Sequence, residues 1–153
     1  MEKTQISEEI KVAEFTLGNE IYGIDVMRIK EIIPYLQITK VPQTPDFIEG
    51  IINLRGVVIP IVDMFKRFGL PPAQTTKETR IIVIEVGDKL IGLIVDSVSE
   101  ILTLSKDVLE PAPEMLRTSI KKDYIKDIAK LDSKLIIIID IDLIFSKEEL
   151  NQI

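Results

Sequence analysis

The 153-residue chain contains neither cysteine nor histidine. The first absence excludes disulfides, thiolate metal sites and a cysteine nucleophile. The second removes the commonest general base, the side chain that titrates near neutrality and the commonest transition-metal ligand. Positive charge is also short, and the net charge of −6 argues against a nucleic-acid binder, whose affinity rests on phosphate neutralisation. The same balance gives little attraction to an anionic membrane surface. The apolar run Leu135–Ile139 is too short to span a bilayer, and the polar start Met1–Glu9 is unlike a signal peptide. A soluble, cytoplasmic chain is expected. Phosphate loops, nucleophile elbows, kinase loops and zinc signatures are all missing. What is present, 46% hydrophobic and 29% charged residues, fits one globular domain or two small ones sharing a core.

The chain repeats itself. Lys11–Ile33 aligns with Arg80–Leu102 at an offset of 69, matching Gly18 with Gly87, Gly23 with Gly92, Val26 with Val95, Glu31 with Glu100 and Ile32 with Ile101. Ile48–Leu54 aligns with Ile125–Leu131 at an offset of 77, and Ile59–Met64 with Ile138–Leu143 at an offset of 79. The order is kept, so two similar halves are expected, with the shared glycines at turns.

Gly18-Asn19 and Gly87-Asp88, each between apolar runs, predict hairpins with glycine in the left-handed position. Val26, Ile29, Ile32 and Ile33 follow a helical spacing that predicts a helix ended by Pro34. Strands are expected at 38–41, 47–54 and 57–62, then a short helix 64–68 capped by Asp63. In the second half β-formers fill 100–104, where the first half reads as helix; a proline-broken loop covers 109–114. Leu135–Ile141 reads as a central strand, and Ser146 with Glu149 as a capping box opening a C-terminal helix. About ten strands predict a mostly β protein of two packed, mainly antiparallel barrels. The expected layout is a flexible segment 1–10, a first barrel 11–70, a linker 71–78, a second barrel 79–145 and a helix 146–153, with strands free to exchange between barrels.

Arg55 is the awkward residue. It sits beside a hinge glycine in the apolar run Gly50–Asp63, and an arginine there needs an internal carboxylate or an outside partner. Both readings stay open, and Glu31, on the predicted helix, is the candidate carboxylate. Val26, Ile29 and Ile32 form a stripe that reads as core or as the wall of a groove between the halves. Asp140 and Asp142 share one strand face and are the best carboxylate pair for a cation or acid/base site. Strand-end capping is the default for them, as for Asp25 and Asp96. A small carboxylate-dependent enzyme or a small-molecule binder in the groove is the alternative to an interaction protein.

The fragments Phe15-Thr-Leu-Gly-Asn-Glu-Ile-Tyr-Gly-Ile-Asp-Val26, Ile38-Thr-Lys-Val-Pro42, Phe47-Ile-Glu-Gly-Ile-Ile-Asn-Leu-Arg-Gly56, Ile59-Pro-Ile-Val-Asp63 and Arg67-Phe-Gly69 resemble the chemotaxis coupling protein family, CheW. Gly92-Leu-Ile-Val-Asp-Ser-Val98 and Pro111-Ala-Pro-Glu114 resemble its second half. The resemblance implies two five-stranded SH3-like barrels. It implies a non-enzymatic adaptor, without cofactor or metal, linking chemoreceptor cytoplasmic tips to the histidine kinase CheA. Carried onto matching positions, the receptor contact falls on Val26, Ile29, Glu31, Ile32, Arg55 and Val98. The contact with the kinase's regulatory domain falls on Thr39, Lys40, Asn53, Gly56, Val57 and Val58.

Overall fold

Two glycines in the left-handed region start the architecture. Gly18, at φ 63°, turns β1 (Glu9–Leu17) onto β2 (Glu20–Asp25). Gly87, at φ 65°, turns β6 (Arg80–Val86) onto β7 (Lys89–Val95). The computed structural model describes residues 8–113 and 124–153, so Glu114 and residues 1–7 lie outside the described residues. The other strands are β3 (Ile29–Pro34), β4 (Ile48–Leu54), β5 (Val57–Asp63), β8 (Ser97–Ser105), β9 (Leu109–Pro111), β10 (Ile125–Leu131) and β11 (Lys134–Ile139). One sheet runs β8-β1-β2-β11-β10-β9 and the other β3-β6-β7-β5-β4. Only β2 with β11 and β5 with β7 pair in parallel among the described strands.

The first sheet has six strands rather than five because Leu109–Pro111, expected as a loop, pairs along β10. Its proline is tolerated because β9 is an edge strand. At the end of the segment 1–10, Glu9 and Ile10 belong to β1, where Ile10 pairs with Leu104 and packs on the core of the six-stranded sheet. Each sheet draws strands from both halves of the sequence, since the hairpin β1–β2 joins β8–β11 while β6–β7 joins β3–β5.

The predicted helix over 26–33 is absent. Val26–Arg28 is a single 3-10 turn capped by Asp25, and Ile29–Pro34 is an edge strand. The misreading has a physical cause. A β-bulge inserts Lys30, so that Ile29 pairs with Ile84 and Glu31 with Val83. The extra residue puts Ile29 and Ile32, an odd number apart, against the same core and imitates helical spacing. β8 repeats the bulge at Ser99, with Val98 opposite Phe15 and Glu100 opposite Glu14. The two halves are therefore alike where they were expected to differ.

Registers fix the repeat. Ile32 faces Ile82 as Ile101 faces Ala13, which keeps the offset of 69. Asn53 faces Val58 as Lys130 faces Leu135, which keeps 77 through β4–β5 and β10–β11. The offset of 79 is thus an error of two residues. Such a slip preserves strand alternation, so the apolar pattern alone does not betray it. With the correct offset, Asp63 and Asp140 are counterparts: each caps the helical turn after its strand, α1 (Met64–Arg67) and the 3-10 turn Ile141–Leu143. The Ser146–Glu149 capping box opens α2 (Lys147–Asn151) as expected.

Each sheet has a core of its own, Ile33, Ile52, Ile59, Ile61, Ile81 and Val83 in one and Val12, Leu104, Ala129, Ile136 and Ile138 in the other. Their backs share a larger core that includes Phe15, Tyr22, Ile82, Ile84, Leu93 and Ile139. β6 feeds both cores alternately, so its apolar run is continuous rather than alternating. Gly23 and Gly92 are not turn residues. They lie inside strands where a Cβ would come within 3.1 Å of Ile138 and 2.6 Å of Ile61.

Candidate functional site

The β4–β5 hairpin closes through a two-residue turn in which Arg55 has φ 51° and Gly56 φ 88°. Two left-handed residues match the twist of a two-residue hairpin. Asn53 Oδ1 supports the turn by accepting the Gly56 N–H at 2.8 Å. A left-handed arginine costs about 1–2 kcal/mol of backbone strain, and its side chain is used: Arg55 Nη2 donates to Glu31 Oε1. The expected ion pair therefore exists, but Glu31 stands on the edge strand β3, not on a helix. Because β3 and β4 are the two outer strands of their sheet, the pair joins its two edges at one end. Arg55 keeps 67% of its side chain exposed and Glu31 35%. A pair this open contributes at most about 1 kcal/mol of stability.

The six residues assigned to receptor contact fall into two groups. Ile29, Ile32 and Val98 are half-buried and pack on the rim of the shared core; Ile29 and Val98 are repeat counterparts, one on each sheet. Val26 is half-buried in the 3-10 turn just before β3. Glu31 and Arg55 form the charged edge beside them, since Glu31 adjoins Ile32 on β3.

The six residues assigned to kinase contact gather along β4 and its turn. Asn53, Gly56, Val57 and Val58 make up the tip, with Val57 and Val58 exposed. Thr39 exchanges two backbone hydrogen bonds of 2.9 Å with Ile51, and exposed Lys40 follows it. The strand expected at 38–41 is thus a single bridge. It can lie so close because Gly50 has no side chain: a Cβ there would sit 2.5 Å from the Thr39 carbonyl oxygen.

The carboxylates weighed as a chemical site are occupied. Asp140 Oδ1 accepts the Asp142 N–H at 2.9 Å. Asp142 forms a bidentate pair with Arg28 at 3.0 and 2.7 Å, and this partner holds its carboxyl below the usual range. Asp25 caps Met27 N–H at 2.9 Å; Asp96 instead reaches another strand's turn, accepting from Gly18 N–H at 2.7 Å. Sequence reasoning missed the Arg28–Asp142 tie, the Arg67 cluster described below, and the exposed apolar side chains Met27, Ile101, Leu135 and Leu143. Met27 and Leu143 adjoin that tie in sequence, so predicting the 3-10 turns would have drawn attention to both. Among the described residues no group of three or more acidic side chains is placed to hold a metal, and no helix is long and apolar enough to cross a membrane.

Two sheets related by duplication, the weighed carboxylates engaged in caps and ion pairs, and apolar side chains exposed at a hairpin tip are the features a comparison with known proteins must match. The chain belongs to the CheW-like domain family, whose model matches residues 11–149. It is 40% identical to a chemotaxis protein CheW of Klebsiella aerogenes over 136 residues, spanning 89% of this chain and 81% of that one. It is 38% identical to the CheW of Bacillus subtilis, spanning 92% of each. The crystal structure of a scaffolding CheW from Thermoanaerobacter tengcongensis superposes with a TM-score of 0.83 at 41% identity, over 93% of this chain and 96% of that one. The protein is a chemotaxis scaffold and not an enzyme.

Proposed function

We propose that the chain couples the helical cytoplasmic tips of chemoreceptors to the regulatory domain of the histidine kinase CheA, working in the cytoplasm at membrane receptor arrays. The carrying observation is the Arg55–Glu31 pair, an exposed charge pair held on a strained turn between an apolar rim and an apolar tip. The half-buried Val26, Ile29, Ile32 and Val98 take the apolar face of a receptor helix, and Glu31 with Arg55 sets its register. The kinase domain meets the tip through Asn53, Gly56, Val57 and Val58, with Thr39 and Lys40 along the same edge. Charge at the rim selects and orients, while the apolar anchors hold.

Arg55→Glu is expected to weaken binding of a receptor tip fragment at least tenfold, roughly 1.4 kcal/mol, while unfolding free energy moves by less than about 1 kcal/mol. Glu31→Arg in the same chain should recover part of the affinity by restoring the pair in reverse. Titration calorimetry with receptor and kinase fragments, beside urea denaturation, measures both. Unfolding of Arg55→Glu would make the pair structural, and unchanged affinity for both partners would sink the assignment.

A further inference from the structure

The 77-residue repeat meets itself at Arg67, on α1. The side chain is only 13% exposed. Its Nε and Nη2 donate to the Ile144 carbonyl at 3.0 and 2.6 Å, and Nη1 and Nη2 donate to the Glu149 carboxylate at 2.7 and 2.5 Å. The guanidinium carbon lies 5.5 Å from the ring centres of Phe47 and Tyr124 and 5.1 Å from that of Phe145. These neighbours are related. Phe47 and Tyr124 are counterparts 77 residues apart, as are Phe68 and Phe145, and Ile144 is the counterpart of Arg67 itself. The ring contacts exchange under the same relation: Phe47 meets Phe145 at 5.8 Å, and Tyr124 meets Phe68 at 5.4 Å. Arg67 thus stands where the two repeats face each other, in a cage built from both.

Stability alone does not call for a cation here. An apolar side chain among three rings commonly folds as well as a buried ion pair. What it lacks is direction, because the planar fork fixes two acceptors at set angles. The acceptors belong to the segment that follows β11 of the six-stranded sheet, while α1 follows β5 of the five-stranded sheet. We propose that Arg67 is a positioning residue: its fork to Ile144 and Glu149 sets the angle between the two sheets and, through it, the spacing of Ile29 and Val98 across the receptor groove. Those two residues stand on different sheets, so their spacing follows the angle; Asn53 to Val58 belong to one hairpin, so the kinase tip does not depend on it. The docking half of this inference rests on the groove assignment above.

The test uses the full chain with Arg67→Met and Arg67→Lys. Residual dipolar couplings of the two sheets are fitted to alignment frames, and affinities are measured for a receptor tip fragment and for the kinase regulatory domain. In Arg67→Met the sheets should need separate frames, receptor affinity should fall about tenfold, and kinase affinity should hold. Arg67→Lys, keeping the charge without the fork, should fall between Arg67→Met and the wild type. A single common frame with unchanged receptor affinity overturns the proposal, as does equal loss for both partners. If Arg67→Met does not fold, Arg67→Lys decides, and its matching the wild type in both readouts counts against a positioning role. If the wild-type chain fails to bind the receptor fragment, the groove assignment falls, and the dipolar couplings still decide whether Arg67 sets the angle.

Discussion

The β4–β5 and β10–β11 hairpins share a register but differ in charge and backbone conformation at their turns. Arg55, Gly56, Val57 and Val58 in one stand where Asp132, Ser133, Lys134 and Leu135 stand in the other. The first turn is left-handed at both residues, whereas neither residue of the second has a positive φ. At the first tip the cation points outward to Glu31 and the valines are left exposed. At the second, Lys134 reaches Glu14 at 2.9 Å, a carboxylate with only 6% of its side chain exposed. The counterpart of Glu14 is Val83, fully inside its own core. Duplication therefore preserved the pairing of strands, which backbone hydrogen bonds enforce, and left side chains at the barrel ends free to diverge. One end became an accessible edge of two valines with an outward cation, and the other an inward ion pair beside a single exposed Leu135.

The sharpest contrast lies at Gly50, whose counterpart is Asp127. Gly50→Ala would set a methyl group 2.5 Å from both the Thr39 carbonyl oxygen and Ile38 Cγ2. A backbone atom cannot yield as a side chain can, so a loss of about 3 kcal/mol is expected. Gly92→Ala meets side-chain atoms of Ile61 and Ile81 at 2.6 and 2.9 Å and should cost about 2 kcal/mol. Gly23→Ala meets its neighbours at 3.1 to 3.3 Å, and the lower entropy of the unfolded chain offsets the crowding to within about 1 kcal/mol. Urea denaturation of the three variants gives the order directly. Equal losses at positions 23 and 92 would mean that the two barrels are packed alike at this point.

The Glu14–Lys134 pair breaks the symmetry in charge. Lys134→Val copies the other tip but strands Glu14 in a buried site, at a cost of about 2 kcal/mol. Adding Glu14→Val completes the pattern of the other barrel, and most of that loss should return, since removing both partners is far cheaper than removing one. A double variant as unstable as the single one would show that the pair is needed for more than its own neutralisation.

The parts of this fold that depend on neighbours in sequence were legible. The two glycine hairpins, the Asp63 cap and the Ser146 capping box each need only a few consecutive residues. The Arg55–Glu31 pair was legible from a different argument, that an arginine in an apolar run needs a carboxylate. The strand at Ile29–Pro34 was not, because one inserted residue at Lys30 turned a period of two into an apparent helical period. The exchange of hairpins between sheets, which the sequence leaves open, has no local signature, since the β1–β2 and β6–β7 hairpins close on the same left-handed glycine turn. The Arg67 cage escaped for the same reason: its members come from five separate places in the chain, and only the correct offset of 77 reveals that they are related.

The smallest expected effect concerns the shared core, where Tyr22 faces the same interior as its counterpart Ile91. Tyr22 stacks on Phe15 at 5.6 Å and meets Phe68 at 5.5 Å. Its hydroxyl is buried without a hydrogen-bond partner among the described residues, and burial pushes its pKa up to about 12. A buried hydroxyl without a partner costs free energy that the ring contacts must offset. Tyr22→Phe keeps the rings and removes the cost. The variant should gain up to about 1 kcal/mol, a rise of roughly 2–4 °C in melting temperature for a chain of this size. Tyr22→Ile, which makes the two repeats identical here, gives up both ring contacts and should be less stable than Tyr22→Phe. If Tyr22→Phe instead loses stability, the hydroxyl is bonded in solution, and the two sides of the shared core differ in polarity as well as in shape.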